Sequence, residues 1–148
     1  MTASRVNAGL QSDSGTCHVL LIEDDENDVF LFERAFAQSK IPCTIHSVES
    51  VADGMRYLNG AGVYADRGTY PVPNLIVTDL GFRGESGLQF LNWLHYQSAL
   101  CGIPIVCITG SSDPEKLKQA QDFGARCIEK RALFEGVVDL IRDLLPRP

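Results

Sequence analysis

Long apolar runs are missing from this sequence, and no stretch approaches the length needed to cross a bilayer. A basic excess is missing too. The formal net charge is −6, which argues against a nucleic-acid-binding face. No GxxxxGK(S/T) segment occurs, so nucleotide hydrolysis on a phosphate loop is excluded. The five cysteines include no CxxC pair, and His18, His46 and His95 are scattered singly, so a zinc centre is not expected. Residues 1–15 carry one Arg and no apolar segment, unlike a secretory signal. Cys17, Cys107 and Cys127 flank or lie in strand-like runs, where a free thiol behaves as a small hydrophobe. Together these point to a reducing, cytoplasmic setting.

What is present is a chain of 148 residues, enough for one domain with a real core. Residues 1–16 are small and polar and read as a flexible tail. From Cys17 onward, apolar runs alternate with helical stripes. Strands are expected at 17–22, 41–48, 74–79, 103–108 and 126–129. The helix over 27–39 places Val29, Phe32 and Phe36 on one stripe. Ser50 caps a second helix, with Val51, Met55 and Leu58 inward. Ser86 opens a third, burying Leu88, Leu91 and Leu94 or Trp93. Asp113 and Pro114 open a fourth, with Leu117, Ala120 and Phe123 inward and Gly124 as its stop. A fifth covers 131–145, with Leu133, Val137, Leu140 or Ile141 and Leu144 inward. Residues 60–73 form a long Gly/Tyr/Pro loop. Its GxGxxA match, Gly60 to Ala65, follows a helix rather than a strand and is no dinucleotide fingerprint. Five β-α repeats imply an α/β fold, a doubly wound five-stranded parallel sheet with helices on both faces.

In such sheets ligands gather outside the carboxyl ends of the strands. The first strand delivers Glu23 and Asp24 there, the third Asp79, the fourth Thr109 and the fifth Lys130. Each has an ordinary reading alone: acids at a helix start favoured by the dipole, a turn Asp, a capping Thr, a solvated Lys. Their joint arrival at successive strand ends favours a site. Several carboxylates packed together repel and call for a cation. All-oxygen ligands suit Mg²⁺, and a loop carbonyl, best placed at Gly81, can complete the protein's share. Lys130 offers a point charge for a phosphate oxygen, and Thr109 a hydroxyl. Asp79 is then a candidate nucleophile in phosphoryl transfer.

These segments resemble the response regulator receiver domain of two-component signalling. The likeness rests on Val19 to Asp25, on Leu75 to Leu80 with Gly87 eight residues after Asp79, on Ile103 to Gly110, and on Gly124-Ala125 before Lys130. It covers 17–148 as one receiver domain of flavodoxin-like (βα)5 type. It implies that Asp79 accepts phosphate from a histidine kinase. Asp24, Asp79 and the Gly81 carbonyl would hold Mg²⁺, with Glu23 supporting it through water. Thr109 and Lys130 would read the phosphorylated state, and the domain would catalyse its own dephosphorylation. The Tyr/Pro loop and the Asn27-Asp28-Val29 helix opening are similar to single-domain regulators that partner bacterial phytochromes, which implies a light-regulated kinase and a homodimer.

Three positions depart from the family pattern: Arg131 stands where Pro usually follows the Lys, Cys127 where an aromatic often precedes it, and Arg83 where a Pro is common. The Cys127 departure keeps open a phosphorylation-independent interaction module of the same fold. A haloacid-dehalogenase-like phosphatase would want an acid at position 81, which is Gly. No DNA-binding region is expected after the last helix, so output is expected through a downstream protein or a phosphotransfer domain.

Overall fold

The computed structural model describes residues 17–80, 87–110, 114–129, 139, 142 and 143. The expectations for the tail 1–16, Gly81, Arg83, Ser86, Asp113, Lys130, Arg131 and most of the 131–145 helix lie outside them.

Five parallel strands form one sheet: β1 (Cys17–Ile22), β2 (Cys43–Val48), β3 (Leu75–Asp79), β4 (Ile105–Thr109) and β5 (Arg126–Glu129), in the order β2-β1-β3-β4-β5. All five residues of β3 are buried, as two-sided coverage of a central strand requires. The edge strands β2 and β5 are only partly covered. Between them run α1 (Glu26–Ser39), α2 (Val51–Asn59), α3 (Gly87–His95) and α4 (Pro114–Asp122).

Side chains alternate across the pleat, and this sorts the core into two layers. Leu20, Ile22, Ile76 and Cys107 face Tyr57 of α2, Phe90 of α3 and Ala120 of α4. Val19, Leu21, Val77 and Val106 face Phe32 and Phe36 of α1. The α1 stripe therefore packs where expected, with Ala35 buried as well and Val29 half-buried. Phe90 is the residue the sequence stripe on α3 omits. It is fully buried, a contribution of roughly 2–3 kcal/mol.

Two strand bounds shift for one reason. β2 begins at Cys43, after Pro42, and β4 spans Ile105–Thr109, after Pro104. Proline has no N–H for the ladder, but its carbonyl can still accept. The Cys17 amide donates to Pro42 O and the Ile76 amide to Pro104 O, both at 3.0 Å.

The 60–73 loop is ordered by its own chemistry. Gly60 ends α2 at φ +65, a left-handed conformation that glycine adopts without penalty. A short 3-10 turn follows at Gly62–Ala65. The Arg67 guanidinium then folds back, donating to Tyr57 O (2.9 Å), Leu58 O (2.9 Å) and Tyr70 O (3.1 Å). It adds to the Gly60 amide on Tyr57 O and supplies a donor to Leu58 O, and its charge suits that end of the helix dipole. Tyr57 donates its hydroxyl to Pro71 O at 3.0 Å.

Candidate functional site

The chain leaves β1 for the outer strand β2 and returns across it to β3, so the carboxyl ends of β1 and β3 flank the point where strand order reverses. A crevice opens at such a point. Glu23 follows β1 directly and Asp79 closes β3. Both are 5% exposed.

Local hydrogen bonds fix this corner. The Glu23 amide donates to Val48 O (3.0 Å), tying the end of β1 to β2. The Glu23 carboxylate accepts from the Asp25 amide at 3.1 Å. Asp25 in turn caps α1, its carboxylate accepting from the amides of Asn27 (2.8 Å) and Asp28 (3.4 Å). The cap sets the first turn of α1 so that Asp28 comes back over the strand ends. Carboxylate oxygens of Glu23, Asp28 and Asp79 lie within 4.8 Å of one another.

Asp28 is the member that reading the strand ends misses, because it sits one helical turn beyond them. Its signal was present: it lies three residues after a helix-capping Asp, on the turn that faces the crevice. Asp24 is exposed and lines the adjoining cleft of about 240 Å³ between α1 and the end of β2, together with Glu26, Glu33 and Glu49. Gly81 and Lys130 lie outside the described residues.

On the other side of Asp79, β4 brings Thr109 to the same edge. Asp79 is in register with Ile108, and Thr109 with Glu129 of β5, so Lys130 is next in sequence after the partner of Thr109. Thr109 is 2% exposed. Beneath Asp79, α3 begins against bare backbone. A Cβ on Gly87 would lie 2.5 Å from Asp79 O and 2.8 Å from Leu80 Cα, closer than atoms can approach. Glycine is therefore required where α3 starts against the backbone at the end of β3.

Three clustered carboxylates, two of them buried, need positive charge nearby. An all-oxygen set suits a hard divalent cation, and the residues present fit one. A buried carboxylate and a buried hydroxyl at one edge of the sheet are groups that phosphoryl chemistry can use.

Residues 19–142 match the response regulator receiver domain family. The two-component response regulator ARR15 of Arabidopsis thaliana is 31% identical over 137 residues, which is 92% of this chain and 66% of that protein. The chain thus spans just under two thirds of that relative's length. Among solved structures, the phosphorylated cyanobacterial phytochrome response regulator RcpA aligns with a TM-score of 0.75 at 25% identity, over 88% of this chain and 94% of that one. The Mn²⁺-bound form of the response regulator Rcp1 aligns with a TM-score of 0.70 at 23% identity, over 86% and 88%. Among the described residues no helix is long and apolar enough to cross a membrane.

Proposed function

Because the chain belongs to the response regulator receiver family, we propose that it is a single-domain switch that takes a phosphoryl group from a histidine kinase onto Asp79. The observation that supports this most is the clustering of Glu23, Asp28 and Asp79 within 4.8 Å at the carboxyl edge of the sheet. Glu23, Asp28 and Asp79, with Asp24 and the Gly81 carbonyl as further oxygens, would hold Mg²⁺. The ion would supply charge neutralisation around the transferred group.

Asp79 is the nucleophile. One of its carboxylate oxygens bonds to phosphorus as the bond from phosphorus to the donor's imidazole nitrogen breaks, leaving an acyl phosphate. Burial excludes bulk water from the new mixed anhydride. Thr109 donates its hydroxyl to one phosphoryl oxygen, and Lys130 pairs with another. The same site admits a water for hydrolysis, which returns Asp79 to a carboxylate.

The similarity to a phytochrome response regulator favours a bacteriophytochrome as the kinase, a homodimer as the working form and the cytoplasm as the compartment. Output runs through a downstream protein or an onward phosphotransfer domain. Cys127, standing where the family often has an aromatic, favours one second reading, a partner contact that is indifferent to phosphorylation.

Incubation with acetyl phosphate and Mg²⁺ tests the assignment. One phosphoryl group should be added per chain, and Asp79→Asn should remove the labelling. Labelling that survives in that variant contradicts the assignment. A partner that binds both forms equally favours the second reading.

A further inference from the structure

Four of the five cysteines lie in two cross-strand pairs. Cys17 on β1 is in register with Cys43 on β2, and Cys107 on β4 with Cys127 on β5. Neighbouring strands lie about 4.8 Å apart, inside the Cα separation of roughly 4.4–6.8 Å that a disulfide spans. Backbone geometry therefore admits a bond at either place. What separates the pairs is the surroundings of their thiols.

At β4 and β5 both side chains pack into one core layer, where interaction between the two thiols shifts both. The Cys127 thiol also donates to the Leu117 carbonyl of α4 at 4.0 Å. Both side chains are thus on the same face of the sheet. Cys107 is fully buried and Cys127 is partly exposed, so one sulfur can meet a solute while the other waits behind it. The interaction with Cys107 holds the Cys127 thiol below its ordinary range, which favours the reactive thiolate. The same interaction, with burial second, raises Cys107. At β1 and β2 neither thiol is favoured as a thiolate. Burial pushes Cys43 to about 12 and raises Cys17 as well.

We propose that Cys107 and Cys127 form a peroxide-sensitive dithiol, with Cys127 the attacking sulfur and Cys107 the resolving one. The Cys127 thiolate attacks one oxygen of a hydroperoxide. The O–O bond breaks, an alcohol or water leaves, and Cys127 becomes a sulfenic acid. The Cys107 sulfur then attacks that sulfur. An S–S bond forms, and water leaves with the sulfenic oxygen and the Cys107 proton. The two thiols lose two electrons and the peroxide gains them. The bond would tie β4 to β5 two residues before Thr109. This does not depend on the phosphoacceptor reading, since no step uses Asp79.

The test is peptide mapping of the full chain after brief exposure to hydrogen peroxide, without reductant. The expected product is one intramolecular crosslink joining the peptides of Cys107 and Cys127, reversed by dithiothreitol, with Cys17 and Cys43 still reduced. In Cys107→Ser, Cys127 should instead be trapped as a sulfenic acid by dimedone. A Cys107 that stays reduced in the wild-type chain while the exposed Cys101 is oxidised overturns the proposal. So does a crosslink between Cys17 and Cys43. Mapping the wild-type chain decides the matter even if the variant does not fold.

Discussion

At the residue scale, the site depends on side chains whose individual readings are unremarkable and whose placement is not. Asp28 is the clearest case. On sequence grounds it is one more acid at a helix start, where the dipole favours it. In the fold its carboxylate joins Glu23 and Asp79. Asp28→Asn should weaken Mg²⁺ binding about tenfold, the scale of losing a supporting oxygen at a metal site. Calorimetric titration with Mg²⁺ checks this, and unchanged affinity would remove Asp28 from the site. Gly87 makes the opposite case, a residue that matters through what it lacks. Gly87→Ala places a methyl group against the Asp79 carbonyl and the Leu80 backbone, neither of which is a flexible side-chain end. The expected cost is about 3 kcal/mol, the upper end for overpacking, with slower phosphorylation of a displaced Asp79. Urea denaturation and an acetyl phosphate time course measure the two effects.

At the element scale, the loop after α2 acts as a clasp on one corner of the sheet. Arg67 holds the end of α2 through Tyr57 O and Leu58 O, and its guanidinium lies 5.9 Å from the Tyr57 ring centre. Arg67→Ala should destabilise the chain by about 2 kcal/mol, as expected for charge-assisted bonds to carbonyls. Arg67→Lys should recover little, because a single ammonium cannot span the fork. Denaturant midpoints of the three proteins test both statements. The same corner carries a proton-sensitive contact. His18 Nδ1 and His46 Nε2 lie 3.1 Å apart, and the His46 ring packs against Tyr57 and Tyr70. Burial first, and the neighbouring His18 second, hold His46 below the usual imidazole range. A folded-state pKa below the unfolded value means the unfolded chain takes up the proton first. The contribution of His46 is therefore present above the ordinary imidazole pKa and is lost as pH falls through the depressed one. Unfolding free energy measured between about pH 8 and pH 5 should fall on the acid side, and His46→Phe should flatten that fall. Equal slopes in both proteins would contradict the assignment.

At the scale of the whole molecule, the sheet and its order of elements were legible because five apolar runs alternate with helical stripes and each run ends on a chemically distinctive residue. Glu23, Asp79 and Thr109 could be placed at the carboxyl edge that way, since a strand end is a place that sequence can mark. What stayed hidden was set by packing across distance. Phe90 is invisible to a stripe counted from Leu88, because the face that α3 buries is chosen by α2 and the sheet. The Asp28 contact depends on the angle at which the Asp25 cap launches α1. The Arg67 clasp joins residues that only the folded loop brings together. The pairing of Cys107 with Cys127 needs the register of two strands, which no local pattern gives.

The central claim is that Asp79 carries the phosphoryl group, and borohydride trapping tests it most directly. The chain is phosphorylated with acetyl phosphate and Mg²⁺, reduced with borohydride and mapped by mass spectrometry. An acyl phosphate at Asp79 predicts conversion of that residue alone to homoserine, with no conversion when Mg²⁺ is chelated. Homoserine at Asp24 or Asp28, or 2-amino-5-hydroxypentanoic acid at Glu23, in place of homoserine at Asp79, or no reducible acyl phosphate at all, would contradict it.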